Sequence, residues 1–153
     1  MTRKEKAMNY FLEGYNCSQS VVLAFADMLD MEPDKLVRFS SSFGGGMGRL
    51  REVCGSVSGM FIVLGMLYGY DDPKDFEGKK ALYEKVQNLA HQFEAENGSI
   101  VCRDLLGLSE KSQEPTPEKR SKEYYSKRPC KELVGIAAEL LEMFIKQENS
   151  SLQ

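Results

Sequence analysis

Residues Val53 to Tyr70, VCGSVSGMFIVLGMLYGY, form the longest uncharged stretch of the chain, eighteen residues. Such a run must be taken out of water, so the rest of the chain has to be arranged around it. It falls just short of the ~20 apolar residues that a membrane span needs. Gly55, Gly59, Gly65 and Gly69, with Ser56 and Ser58, dilute it further. A central buried helix is therefore expected, ending near Tyr70-Asp71-Asp72-Pro73, and no membrane span. The Gly55-x-x-x-Gly59 step would let a second backbone approach closely, as small-residue steps do at tight helix crossings. The same glycine-lined helix could instead face a second copy of the chain, which leaves a homodimer open.

The flanking sequence supplies amphipathic partners. Thr2 and Glu5 form a capping box, and Gly14 can stop the helix they open. Asn16 and Gln19 open a second helix, with Val21, Val22, Phe25, Met28 and Leu29 as its apolar side. Glu32-Pro33 starts a third, carrying Leu36, Phe39 and Phe43. SSSFGGGMG, Ser40 to Gly48, must be a loop or a broken helix end. A long helix from about Asp75 to Glu96 shows the stripe Leu82, Val86, Leu89, Phe93, and Asn97-Gly98 ends it. Ser99 can cap a short helix through Leu106. Residues 107–128 are polar and hold two prolines, so they read as an exposed excursion. Pro129 opens a last helix with Leu133, Val134, Ala137, Leu141 and Phe144 as its stripe. Strand signals are missing. The expected fold is all-α, a compact bundle of about six helices with no sheet, and 153 residues favour one domain.

Composition narrows the function classes. Hydrophobic residues at 42% and charged residues at 28% suit a soluble globular chain that can bury a core without staples. A net charge of −3 and no basic, aromatic-interleaved run argue against nucleic-acid binding. The N-terminus lacks an apolar signal core, so a cytoplasmic location is expected. Disulfides do not persist there as staples, and cysteines are more often redox-active or metal-binding.

Cys17, Cys54, Cys102 and Cys130 form no CxxC pair, so zinc-ribbon and thioredoxin-type spacings are absent. Their positions within elements say more. Each falls at or near an expected helix N-terminus, where free N–H groups and the macrodipole favour a thiolate and thiol pKa values fall. Basic neighbours add to this: Arg49 and Arg51 ahead of Cys54, Arg103 beside Cys102, and Arg128 and Lys131 flanking Cys130. A buried cysteine is also an ordinary small hydrophobe, and that bland role competes at each position.

GYNCSQSVVLAF, FGGGMGRLREVCGSVSGMFIVLGMLYG, GSIVCRDLLG and CKELVGIAAELL together resemble the C_GCAxxG_C_C family of redox-active proteins, in order, from Gly14 to about Leu141. The resemblance implies that Cys17, Cys54, Cys102 and Cys130 are the family's four cysteines and that Cys54-Gly55-Ser56-Val57-Ser58-Gly59 is its central motif. Ser56 stands where the family usually has Ala, which places a hydroxyl next to the cysteine. Such relatives include split-Soret cytochromes, but this chain lacks CxxCH, so covalent haem is not expected.

Two chemical readings follow. In the first, the four cysteines carry thiol/disulfide redox chemistry, need no cofactor, and act on a redox partner protein or an oxidant, with Cys54 the favoured nucleophile because its glycine surroundings allow close approach. In the alternative, Cys17, Cys54, Cys102 and Cys130 ligate zinc or an iron–sulfur cluster. A structural domain with four core cysteines is the third option. Gly44–Gly48 is neither GxGxxG nor a P-loop, so a glycine turn bringing Cys54 near another backbone is preferred to a phosphate cradle. His91, the single histidine, has no partner with which to build a Cys–His or triad catalyst.

Overall fold

The computed structural model describes residues 1–109 and 113–151. Its helices are α1 (Arg3–Leu12), α2 (Cys17–Leu23), α3 (Pro33–Ser40), α4 (Gly55–Tyr68), α5 (Phe76–Asn97), α6 (Cys102–Leu106), α7 (Lys122–Lys127) and α8 (Cys130–Ser151). The all-α architecture agrees with the sequence. Among the described residues there is no strand, only a single antiparallel bridge between Val53 and Val101.

The helix ends follow from local chemistry. Thr2 and Glu5 close a capping box on α1, and Asn16 and Gln19 close another on α2. Pro33 occupies the first turn of α3. Asp75 caps α5 through the Gly78 N–H, and Gly98 ends that helix in the left-handed region. The expected Ser99 cap is displaced by two residues. Val101 is the N-cap of α6, and the Ser99 hydroxyl instead accepts from Val101 N–H and donates to Asp104.

Helix α4 lies at the centre, packed against α2, α5 and α8, while α1 lies along α8. Val57, Met60, Val63 and Leu64 of α4 are fully buried, each worth about 1.5–3 kcal/mol of removed apolar surface. Gly55 and Gly59 face α2. A Cβ at Gly59 would stand 2.9 Å from the Val21 Cβ and 3.0 Å from the Ser18 carbonyl. A Cβ at Gly55 would stand 3.0 Å from the Cβ of Cys17. The glycine step therefore admits the helix that carries another cysteine.

One side of α4 stays open. Phe61, Ile62 and Met66 line an apolar groove with Phe39, Phe43 and Met47. Phe39, expected in the buried stripe of α3, is 55% exposed because Leu36 and Ser40 are the residues that α3 turns inward. Among the described residues, no helix is long and apolar enough to cross a membrane.

The glycine run between α3 and α4 is a left-handed turn. Five consecutive residues, Gly45 to Arg49, have φ between 62° and 70°, and Arg51 follows at 59°. Gly48 N–H donates to Gly44 O at 2.9 Å and Glu52 N–H to Gly46 O at 2.9 Å, which tightens the turn. Met47, Arg49 and Arg51 adopt this conformation at about 1–2 kcal/mol each.

Within the segment read as an excursion, residues 110–112 lie outside the described residues. Much of the remainder is exposed, but α7 forms there, capped by Ser121, and sets Tyr124 and Tyr125 against Phe11. Arg120 lies 3.9 Å over the Phe11 ring and donates to the Phe11 and Tyr15 carbonyls. This stretch thus forms part of a wall around the site.

Candidate functional site

Each cysteine stands at a helix start, as expected. Cys17, Cys102 and Cys130 are the first residues of α2, α6 and α8, and Cys54 is the N-cap of α4. All four open onto one cavity of about 400 Å³. No disulfide joins them.

The cavity has two cysteine-bearing walls. On one, Cys54 and Cys102 are fixed by backbone pairing. Cys54 N–H donates to Ile100 O at 2.8 Å and Cys102 N–H to Glu52 O at 2.6 Å, on either side of the Val53–Val101 bridge. Gly46 wedges beneath them, since a Cβ there would lie 2.6 Å from the Cys102 Cβ. The left-handed turn therefore abuts Cys102 rather than Cys54. On the other wall, Cys17 and Cys130 lie close enough that each shifts the other's acidity.

Their electrostatics differ. Cys130 is lowered to about 7: the neighbouring Cys17 thiol is the largest cause, burial opposes it, and Arg128, the Tyr124 hydroxyl and Arg120 then favour the thiolate. The neighbouring Cys130, with burial, holds the Cys17 thiol well above its ordinary range. Burial raises Cys54 to about 11 despite the N–H groups of Ser56 and Val57 and the Ser56 hydroxyl. Burial also raises Cys102, opposed by the Arg51 guanidinium. The expectation of four acidified thiols is thus corrected to one. At three of the four positions, loss of solvation or the neighbouring thiolate outweighs the helix N-terminus.

Ser56, the motif departure, is fully buried, and its hydroxyl has no hydrogen-bond partner among the described residues; it lies beside Cys54, whose thiolate it would favour.

The basic neighbours are redistributed. Arg51, only 5% exposed, sends its guanidinium past Cys54 to Cys102 Sγ at 3.5 Å and to Gln113 Oε1. Arg49 reaches Gln113 Oε1 and the Glu114 carbonyl. Arg128 pairs with Glu118. Sequence reasoning missed Arg120 and Tyr124. The available sign was Ser121, a helix cap ahead of two tyrosines just before Cys130. His91 is exposed on α5, away from the cavity lining. Among the described residues, no group of three or more His, Cys, Asp or Glu side chains is arranged to hold a metal ion.

A family model described as "Putative redox-active protein (C_GCAxxG_C_C)" matches residues 15–144. The chain belongs to this family. The matched span contains all four cysteines, the central Cys54–Gly59 motif and α7. No curated protein and no solved structure gives a match. The family description agrees with a redox role and leaves the pairing of its cysteines to be argued from the cavity.

Proposed function

We propose that this C_GCAxxG_C_C protein is a dithiol redox protein in which Cys130 is the nucleophile and Cys17 resolves it. What supports this is that Cys17 and Cys130 line the same cavity close enough to shift each other's acidity, beside Arg128, Arg120 and Tyr124. Cys54, the sequence favourite, is a weaker candidate because burial keeps it protonated. The chemistry is a two-electron exchange. The Cys130 thiolate attacks one sulfur of an oxidant disulfide, forming a mixed disulfide and releasing a thiolate. Cys17 then attacks the Cys130 sulfur, closing a Cys17–Cys130 disulfide and releasing the second thiolate, which takes up the Cys17 proton.

Oxidation of the reduced protein with diamide, followed by peptide mapping, tests it. A Cys17–Cys130 linkage with Cys54 and Cys102 left as thiols is expected, and Cys130→Ser should abolish it. Four retained thiols, or a linkage through another pair, sinks the idea. The alternative, a zinc or iron–sulfur site, would need the four cysteines, which share one cavity but among the described residues form no ligand cluster, to draw together. Stoichiometric metal in anaerobically purified protein would favour it.

A further inference from the structure

The cavity is positively charged in a chain whose net charge is −3. Among the described residues, Arg49, Arg51, Arg120 and Arg128 line it against the single acid Glu118. Only Arg128 has a carboxylate partner among the described residues, and that partner is Glu118. Arg49 and Arg51 are met by the Gln113 amide oxygen, the Glu114 carbonyl and a cysteine sulfur. Arg120 is met by two backbone carbonyls and two aromatic rings. Neutral acceptors satisfy the N–H groups but do not cancel the charge. A buried guanidinium without a counter-charge is costly, and Arg51 is 5% exposed. Arg51 is buried and Arg49 and Arg120 are half-buried; three cations around one space, none with a carboxylate partner among the described residues, are arranged to take in an anion.

The space also sets the size. About 400 Å³ suits a small molecule and not a folded protein surface. Ser41, Pro115, Pro117 and Glu118 are exposed and border the cavity at its mouth. Leu105, Leu106 and Leu133 give it an apolar wall on which a disulfide or thioether portion can rest.

We propose that the cavity binds a small anionic disulfide, a molecule whose carboxylates pair with Arg49, Arg51 and Arg120 while its sulfur–sulfur bond faces Cys130. This deepens the dithiol reading and rests on it. The exchange is the one written above, with the anionic disulfide as oxidant: two Cys thiols become one disulfide, and one small disulfide becomes two small thiols.

Three disulfides of similar size separate charge from reactivity: dithiodiglycolate (dianionic), bis(2-hydroxyethyl) disulfide (neutral) and cystamine (dicationic). Each rate of Cys17–Cys130 formation is divided by the rate of the same reagent with 2-mercaptoethanol. After that correction dithiodiglycolate should outrun cystamine by about tenfold or more, the gain expected for a charged cleft. The preference should shrink as salt rises from about 50 mM to 500 mM and should fall in Arg51→Gln and Arg120→Gln. The salt series needs only the wild-type protein, so a variant that fails to fold does not decide the result. Equal corrected rates, or a preference for cystamine as the acidic chain as a whole would dictate, overturns the anionic assignment while the dithiol pair stands. Failure of all three reagents to link Cys17 to Cys130 overturns both.

Discussion

One cysteine on each wall of the cavity, Cys130 and Cys54, starts from the same design and reaches the opposite electrostatic end. Cys130 and Cys54 both stand where a helix begins. Cys130 is 9% exposed and falls to about 7; Cys54 is 4% exposed and rises to about 11. A helix start is therefore not what makes a thiol acidic here. Cys130 has beside it a thiol, a phenol and two guanidinium groups that favour its thiolate. Cys54 gains only the donors of its own first turn and loses its water.

Breaking the backbone-fixed wall should produce the largest effect. Gly46→Ala would push a Cβ to 2.6 Å from the Cys102 Cβ and 2.8 Å from the Arg51 Cα, at a φ of 68°. Strain and overpacking together should cost about 3 kcal/mol. Denaturant titration reads the loss. If the walls are independent, a Gly46→Ala protein kept folded at low denaturant should still form the Cys17–Cys130 disulfide.

Alkylation at pH 7 compares the thiols directly. With values of about 7 and about 11, roughly half of Cys130 and about one part in 10⁴ of Cys54 is thiolate. The more acidic thiolate is intrinsically less nucleophilic, which returns up to about 100-fold. Iodoacetamide should therefore label Cys130 about 100-fold faster, measured peptide by peptide. The Cys130 rate should level off above neutral pH while the Cys54 rate keeps climbing. Equal labelling at pH 7 erases the distinction.

Stability against pH should show the same contrast with opposite signs, at about 3 kcal/mol. Cys130 lies below its ordinary 9.0 in the fold, so its contribution is present above pH 9 and is lost as pH falls through 7. Cys54 lies above 9.0, so its contribution is present below pH 9 and is lost as pH rises through 11. Relative to reduced wild type, Cys130→Ser should lose most near pH 9 and less at pH 7. Cys54→Ser should lose most below pH 9 and least at pH 11. Parallel curves for both variants would contradict the assignment.

Much of the scaffold was legible because it is written locally. Capping boxes at Thr2 and Asn16, Pro33, and the Asn97-Gly98 stop each act within a few residues. The glycine step also pointed correctly to a close neighbour of Cys54, because small residues on one helix face have a single geometric use. What escaped was long-range. Nothing near Arg51 in the sequence announces Cys102, fifty-one residues away, as the sulfur its guanidinium meets. Arg120 and Tyr124 looked like parts of a polar stretch because their partners, Phe11 and Cys130, belong to other helices. Thiol acidity depends on burial, which position along a helix does not encode.

The contact between the first residue of α2 and the first residue of α8 has a consequence for the whole chain. A bond between them would close a covalent loop over nearly three quarters of the polypeptide, from residue 17 to residue 130. In the chain-entropy account, a loop of that length restricts the unfolded ensemble by about 4–5 kcal/mol. Each turnover would then switch the molecule between a linear and a cyclic topology, and resistance to unfolding and proteolysis would record its oxidation state.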